Sequence, residues 1–262
     1  MIKVKSDEEI EILRKCSLLV GKTLAEVAKN LRPGVKTIKL DALAETFIRD
    51  HGAKPGFKGY SGFPGSLCIS VNDAVVHGIP GEYELREGDI VSIDCGTIID
   101  GYYGDSAYTF GIGEIDPETK LLLQRTKESL YKGVEKAVAG NRTGDIGYAV
   151  QSYVEQFGYG VVRELVGHGI GTSMHEKPEI PNFGRRGSGA KLKAGMTICI
   201  EPMINLGTKD IIQLNDGWTI KTADGKPSAH YELEIAVGKN EADILTSYTE
   251  IEQVIKTHNI YG

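Results

Sequence analysis

No apolar run in the chain approaches the ~20 residues that a helix needs to cross a bilayer, so a helical membrane protein is not expected. Basic clusters are equally scarce. Net charge is −6, and the positive residues gather in nothing larger than pairs such as Arg185-Arg186. Such a surface offers little to a nucleic-acid backbone, which argues against nucleic acid as the main partner. Cys16, Cys68, Cys95 and Cys199 lie scattered, without the paired spacing of a zinc site. The opening MIKVKSDEEIEIL is charged and lacks the apolar core of a secretion signal. Reduced thiols and a cytoplasmic location are therefore expected. The Asn141-Arg142-Thr143 sequon then means nothing for glycosylation. Also missing are a GxxxxGK[ST] phosphate loop, a GxSxG nucleophile elbow and a full GxGxxG fingerprint.

What remains is an ordinary soluble composition, 40% hydrophobic and 25% charged, over 262 residues. That length allows one large domain or two modest ones, with ample core. Ser6-Asp7-Glu8-Glu9 has the form of a capping box. It opens a helix whose buried stripe is Ile10, Leu13, Ser17, Val20, Leu24 and Val27, stopped at Arg32-Pro33-Gly34. Thr37 is read as the cap of a second helix ending at Gly52. A glycine- and aromatic-rich loop (53–66) precedes strands near 67–71, 75–77, 89–99 and 102–111. Asp116-Pro117 opens a helix to about Ala139, and another runs from Thr143 to about Phe157. Strands are expected again near 161–167, 191–205, 210–214, 218–222 and 228–237.

Within this order one hairpin concentrates acidic residues. Asp100-Gly101 is a dipeptide favoured at two-residue turns between strands. A turn there pairs Asp94 with Ala107 and puts Asp105 on the same face as Asp94. The two become diagonal neighbours, roughly 7–8 Å apart at the backbone. Two carboxylates on one mostly apolar face are costly unless something positive lies between them. The plainer alternative is one turn-capping and one solvent-facing aspartate.

The chain also resembles itself. A shift near 106 residues sets Gly34, Thr37, Phe47, Ile48 and Gly52 on Gly140, Thr143, Tyr153, Val154 and Gly158. A shift near 107 sets LREGDIVSID (85–94) on LKAGMTICIE (192–201), matching Asp94 with Glu201. VVHGIPG (75–81) echoes VGHGIGT (166–172), bringing His77 beside His168. A duplicated helix-helix-strands unit is expected, with halves at about 1–112 and 113–262. It collects His77, Asp94 and Asp105 from one half and His168, His175, Glu201 and Glu232 from the other. Singly each has a bland alternative: a structural histidine at His77, a surface loop at His175, solvent decoration at Glu232 or its same-face neighbour Glu234. Together the four carboxylates would need about two divalent cations for neutrality. An oxygen-rich donor set with one imidazole suits Mn, Fe, Co or Zn in an open site.

VVHGIP (75–80), DIVSIDCGTIIDGYYGDSAYTF (89–110), GHGIG…MHEKP (167–178), IEPM (200–203), DGWT (216–219) and SAHYE (228–232) resemble the motifs of bacterial type I methionine aminopeptidases over essentially the whole length. The resemblance implies the α/β (α+β type) pita-bread fold, two pseudo-symmetric halves around a curved antiparallel sheet, in a single catalytic domain. It implies Asp94, Asp105, His168, Glu201 and Glu232 as ligands of two divalent metals that bridge a hydroxide. It also implies Glu201 as general base, His175 as donor to the scissile carbonyl, and His77 as contact to the scissile amide. Cys68, Tyr60, Phe63, Trp218 and Met174 are then the methionine pocket. Related enzymes often carry phenylalanine at the Met174 position and tyrosine at Phe63, departures that keep the wall apolar. Asn72 and Ser228 match positions near a monovalent-cation site.

The expected substrates are nascent polypeptide N-termini with a small second residue. The ribosome is a candidate partner, and a monomer is expected. Prolidase-like relatives usually add a large N-terminal domain, for which the roughly 65 residues before the first site strands leave no room. Type II enzymes insert a helical segment between the last two ligand motifs, and the stretch from Glu201 to Glu232 is too short for it. A proline-directed peptidase and a ligand-free binding module are the competing classes.

Overall fold

The hairpin at the centre of the molecule follows from its turn. Asp100 and Gly101 both adopt positive φ, 52° and 82°, the backbone that a twist-matched two-residue turn demands. The computed structural model describes residues 2–258 and 260–262. The turn joins β4 (Ile90–Ile99) to β5 (Tyr102–Ile112), with Asp94 opposite Ala107 and Ile99 opposite Tyr102. β1 (Lys54–Pro55) and β2 (Leu67–Val71) pair along the other edge of β4, and β16 (Ile260–Tyr261) closes the β5 edge.

Two helices cover this sheet. α1 (Asp7–Ala28) starts at the expected capping box, in which Ser6 Oγ accepts from Glu9 N and Glu9 accepts from Ser6 N. It buries Leu13, Ser17, Val20, Leu24 and Val27, while Ile10 is half-buried. α2 (Thr37–Asp50) differs at its start from expectation. Lys36 holds the cap position, and Thr37 is already helical. Its hydroxyl instead donates to Gly81 O and accepts from Gly81 N, tying the helix to the loop after β3 (Ala74–Val76). That long-range pair outweighs the local cap.

The second half repeats the order helix, helix, strands. α3 (Pro117–Val134) is capped by Asp116, whose carboxylate accepts from Glu118 N and Thr119 N. α4 (Thr143–Val154) follows. The strands are shorter than expected. The reading at 161–167 resolves into β6 (Gly160–Val161) and β7 (Gly167–Gly169), with β8 (Glu176–Ile180) where a loop was expected. The strand read as 191–205 becomes β9 (Thr197–Ile200) and β10 (Met203–Asn205). Between them Pro202 has no N–H to continue a ladder. The stretch 228–237 likewise splits into β13 (Ser228–His230) and β14 (Leu233–Ala236), after β11 (Ile211–Gln213) and β12 (Ile220–Thr222). β15 (Asp243–Ile244) and a terminal helix, α5 (Thr249–Thr257), were not anticipated; α5 buries Ile251 and Val254.

The second half's main sheet runs β15-β14-β9-β7-β8, all antiparallel. It meets the first sheet through β5. Glu232 N donates to Ala107 O, Ser106 Oγ to Glu232 O, and Tyr248 Oη to both Ala107 O and Glu232 O. These bonds pin the β13–β14 break over the β4–β5 hairpin.

Candidate metal centre

Two breaks in the strands carry candidate site side chains. Glu201 stands at the β9–β10 interruption, its carbonyl accepting from Asn182 Nδ2 at 3.0 Å. Glu232 stands at the β13–β14 interruption. His168 lies within β7 at a register shift. His77 follows β3 with φ 58°, a left-handed backbone uncommon for a side chain with a Cβ. The next residue explains the constraint: a Cβ on Gly78 would come 2.1 Å from Ile69 O, so only glycine lets the chain pass.

These elements bring His77, Asp94, Asp105, His168, His175, Glu201 and Glu232 to one cavity of roughly 800 Å³ including its open mouth. At its base, donor atoms of Asp105, His168, Glu232 and Cys199 all lie within 4.8 Å of one another, and all four residues are buried. His168 Nε2 is 3.7 Å from Asp105 Oδ2 and 3.5 Å from Glu201 Oε1.

The electrostatics of this base are unfavourable for the protein alone. His168 Nδ1 lies 3.0 Å from Gly169 O, a contact that requires its proton there and leaves Nε2 a bare lone pair. Burial holds the imidazole neutral, its pKa down at about 3. Nε2 therefore faces two carboxylates with no proton of its own to share. Burial pushes Asp94 up to about 7, against the opposing bonds from Asp105 and Cys95 N. Asp105, Glu201 and Glu232 rise well above the usual range, first through burial and then through mutual repulsion. Asp94 Oδ1, Asp105 Oδ1 and Glu232 Oε1 are buried with no hydrogen-bond partner. Unpartnered buried acceptors converging with an imidazole lone pair are the donor chemistry of a divalent cation site. The residues present fit such ions.

Above the cluster the wall is apolar. Phe63 packs edge-on to Trp218 at 5.1 Å, and Trp218 meets His77 at 6.4 Å. Cys68 and Met174 are buried in the same hydrophobic cluster, with Tyr60 and Trp218 packed against it. His175 stands at the mouth, its ring 4.4 Å from that of His168. Sequence reasoning missed three neighbours and left a fourth, Glu234, as a candidate for solvent decoration. Phe57 joins the apolar cluster. Cys199 lies on the Glu201 side of β9, as strand alternation could have shown. His230 is buried with Nε2 unpartnered, 4.0 Å from Glu201 Oε2. Glu234 accepts from Ser17 Oγ and from Asp105 N, so it is internal rather than solvent-facing. Asn72 and Ser228 are adjacent, Ser228 N donating to Asn72 O. Their side chains already have partners in Asp89, Ile90 N and Asn205.

A model of the family described as metallopeptidase family M24 matches residues 11–239. The chain belongs to that family. It is similar to the methionine aminopeptidase of Clostridium perfringens (strain 13 / Type A), 54% identical over 246 residues, covering 94% of this chain and 99% of that one. The crystal structure of methionine aminopeptidase from Rickettsia prowazekii matches with a TM-score of 0.93 at 43% identity, over 94% of this chain and 100% of that one. The prolidase from Pyrococcus horikoshii OT3 shares the fold, with a TM-score of 0.77 at 24% identity, over 93% of this chain and 63% of that one. Within the family the chain groups with the methionine aminopeptidases and has their pita-bread architecture. It is a metal-dependent hydrolase of that class. Among the described residues no helix is long and apolar enough to cross a membrane.

Proposed function

We propose that the chain removes the initiator methionine from the free N-terminus of newly made polypeptides whose second residue is small. Two divalent cations would be held by Asp94, Asp105, His168, Glu201 and Glu232. Asp94 would serve one and His168 with Glu201 the other, with Asp105 and Glu232 as further ligands. The observation that carries the reading is the bare His168 Nε2 at 3.5–3.7 Å from the Glu201 and Asp105 carboxyl groups. Cations bound there supply Lewis-acid polarisation of the scissile carbonyl and make a water acidic enough to attack near neutral pH.

The remaining work falls to side chains. Glu201, whose proton affinity is raised by burial and by Asp105 and Asp94, takes the proton of the attacking water as general base. His175 donates a hydrogen bond to the carbonyl oxygen as negative charge develops on it. His77 contacts the scissile nitrogen and helps deliver the leaving amine's proton. Phe63, Cys68, Met174 and Trp218, with Tyr60 at the rim, enclose the methionine side chain in a polarizable, apolar pocket suited to a thioether. We assign the whole chain to one catalytic domain of two pseudo-repeats, about 1–112 and 113–262. The repeated helix-helix-strands order and the match of LREGDIVSID (85–94) to LKAGMTICIE (192–201) support this. A cytoplasmic monomer acting near the ribosome is the setting this reading implies.

Hydrolysis of Met-Ala-Ser, with Mn or Co added and then with chelator, tests the assignment. Cleavage of Met-Ala-Ser, abolished by chelator and much slower on a bulky second residue, is expected. Cleavage of Xaa-Pro peptides with Met-Ala-Ser left whole would refute it.

A further inference from the structure

Tyr60 does more at the mouth than present an aromatic edge. It sits in a short helical turn (Tyr60–Gly62) after Gly59, which has φ 83°. From there its hydroxyl reaches His175 Nδ1 at 2.7 Å, with ring centroids 5.4 Å apart. The two residues come from different halves of the chain, so the contact is a tertiary one.

The chemistry of the two groups sets the direction of the bond. A phenol, with a pKa near ~10, is a far stronger donor than a neutral imidazole N–H. An imidazole lone pair, whose conjugate acid has a pKa near ~6.5, is a far stronger acceptor than a phenol oxygen. Matching the stronger donor to the stronger acceptor puts the proton on Tyr60 and the lone pair on Nδ1. The neutral ring then carries its hydrogen on Nε2, the nitrogen not engaged by Tyr60, while the ring lines the cavity. Partial burial of the ring disfavours its charged form.

We propose that Tyr60 donates to His175 Nδ1 and thereby fixes His175 in the Nε2–H tautomer. Tyr60 is thus a positioning residue that acts through His175. The proposal rests on the reading of His175 as a donor to the substrate carbonyl, because only Nε2–H lets it play that part. In the opposite tautomer the ring would offer the oxyanion a lone pair. His168 provides a built-in contrast. It keeps its proton on Nδ1, against Gly169 O, and turns a bare Nε2 inward. The two neighbouring rings thus present opposite faces to the cavity, one accepting and one donating.

The test is a long-range proton–nitrogen correlation spectrum of the zinc-loaded, histidine-labelled protein, with His175 assigned by its loss in His175→Gln. The wild-type ring is expected to show a protonated Nε2 and an unprotonated Nδ1. Tyr60→Phe, which keeps the ring and removes the hydroxyl, is expected to spread the population over both tautomers. It should also lower kcat on Met-Ala-Ser by about tenfold to a hundredfold while KM moves less than about twofold. A wild-type His175 protonated on Nδ1, or an unchanged tautomer in Tyr60→Phe, overturns the proposal whatever the rate does. A changed tautomer with unchanged kcat leaves the tautomer assignment standing and removes His175 from its donor role instead.

Discussion

His168 Nε2 and Glu201 Oε1 stand 3.5 Å apart, and the imidazole nitrogen has no proton to give the carboxyl group. By distance alone this is an ion pair. His168 Nδ1 is committed to Gly169 O, and burial keeps the ring neutral. The contact is therefore a bare imidazole lone pair facing a carboxyl group, with Asp105 Oδ2 at 3.7 Å from the same nitrogen. Such an arrangement is stable only around a shared cation, or with protons forced onto the acids.

Separating metal binding from catalysis should be possible by single substitutions. Glu232→Ala removes a buried acid from the cluster and is expected to lower bound metal and rate together. His175→Ala lies outside the donor set. It should keep metal content while kcat falls by about 10²–10³, the usual cost of one lost donor to a developing oxyanion. Elemental analysis beside steady-state kinetics reads both. Full metal content in Glu232→Ala would contradict the proposed ligand role.

The pH dependence of stability should change sign of slope with metal. In the metal-free protein Asp94 titrates at about 7, against ~3.9 in an unfolded chain. Its folded form holds a proton that the unfolded form releases, so its contribution is complete below ~4 and is lost as pH rises through about 7. Asp105, Glu201 and Glu232 are raised in the same direction. Chelator-treated protein is therefore expected to melt higher at pH 5 than at pH 8. Saturating Mn should flatten or reverse that difference, since the cation binds the deprotonated acids. A melting temperature of the metal-free protein that rises from pH 5 to pH 8 would contradict the account.

Two glycines should report on different things. A Cβ at Gly96 would meet the ends of Phe57 and Met174, at 2.8 and 2.9 Å. These are movable atoms of the pocket wall. Gly96→Ala is expected to fold and to raise KM for Met-Ala-Ser by about tenfold, the scale of one methylene in an apolar pocket. At Gly78 the obstacle is the Ile69 carbonyl. Gly78→Ala should cost about 2–3 kcal/mol in a denaturant melt and displace His77 with it. Equal stability losses in the two variants would count against this distinction.

The parts of the fold that the sequence disclosed are those where local chemistry decides alone. Asp100-Gly101 selects its turn, and the turn sets the whole β4–β5 register, Asp94 opposite Ala107 included. Ser6 and Glu9 cap α1 as written. Where a tertiary partner competes, local reading fails. Thr37 prefers Gly81 to its own helix, and the apolar runs through Glu201 and Glu232 continue in sequence while the chain leaves the sheet. The convergence of the site was visible as a repeat ending in acids. Its detail was not, because Cys199, His230 and Glu234 look like ordinary strand residues until the facing sheet is in place. His230 in particular gave no signal in SAHYE beyond its residue type, yet it points an unpartnered Nε2 toward Glu201.

The most direct test of the central claim, that buried acids and one imidazole form a two-cation site, is a calorimetric titration of chelator-treated protein with Mn or Co. Saturation at about two ions per chain is predicted, with the tighter event releasing protons from the raised carboxylates. Absence of binding, or an isotherm unchanged in an Asp105→Ala and Glu201→Ala double variant, would contradict it.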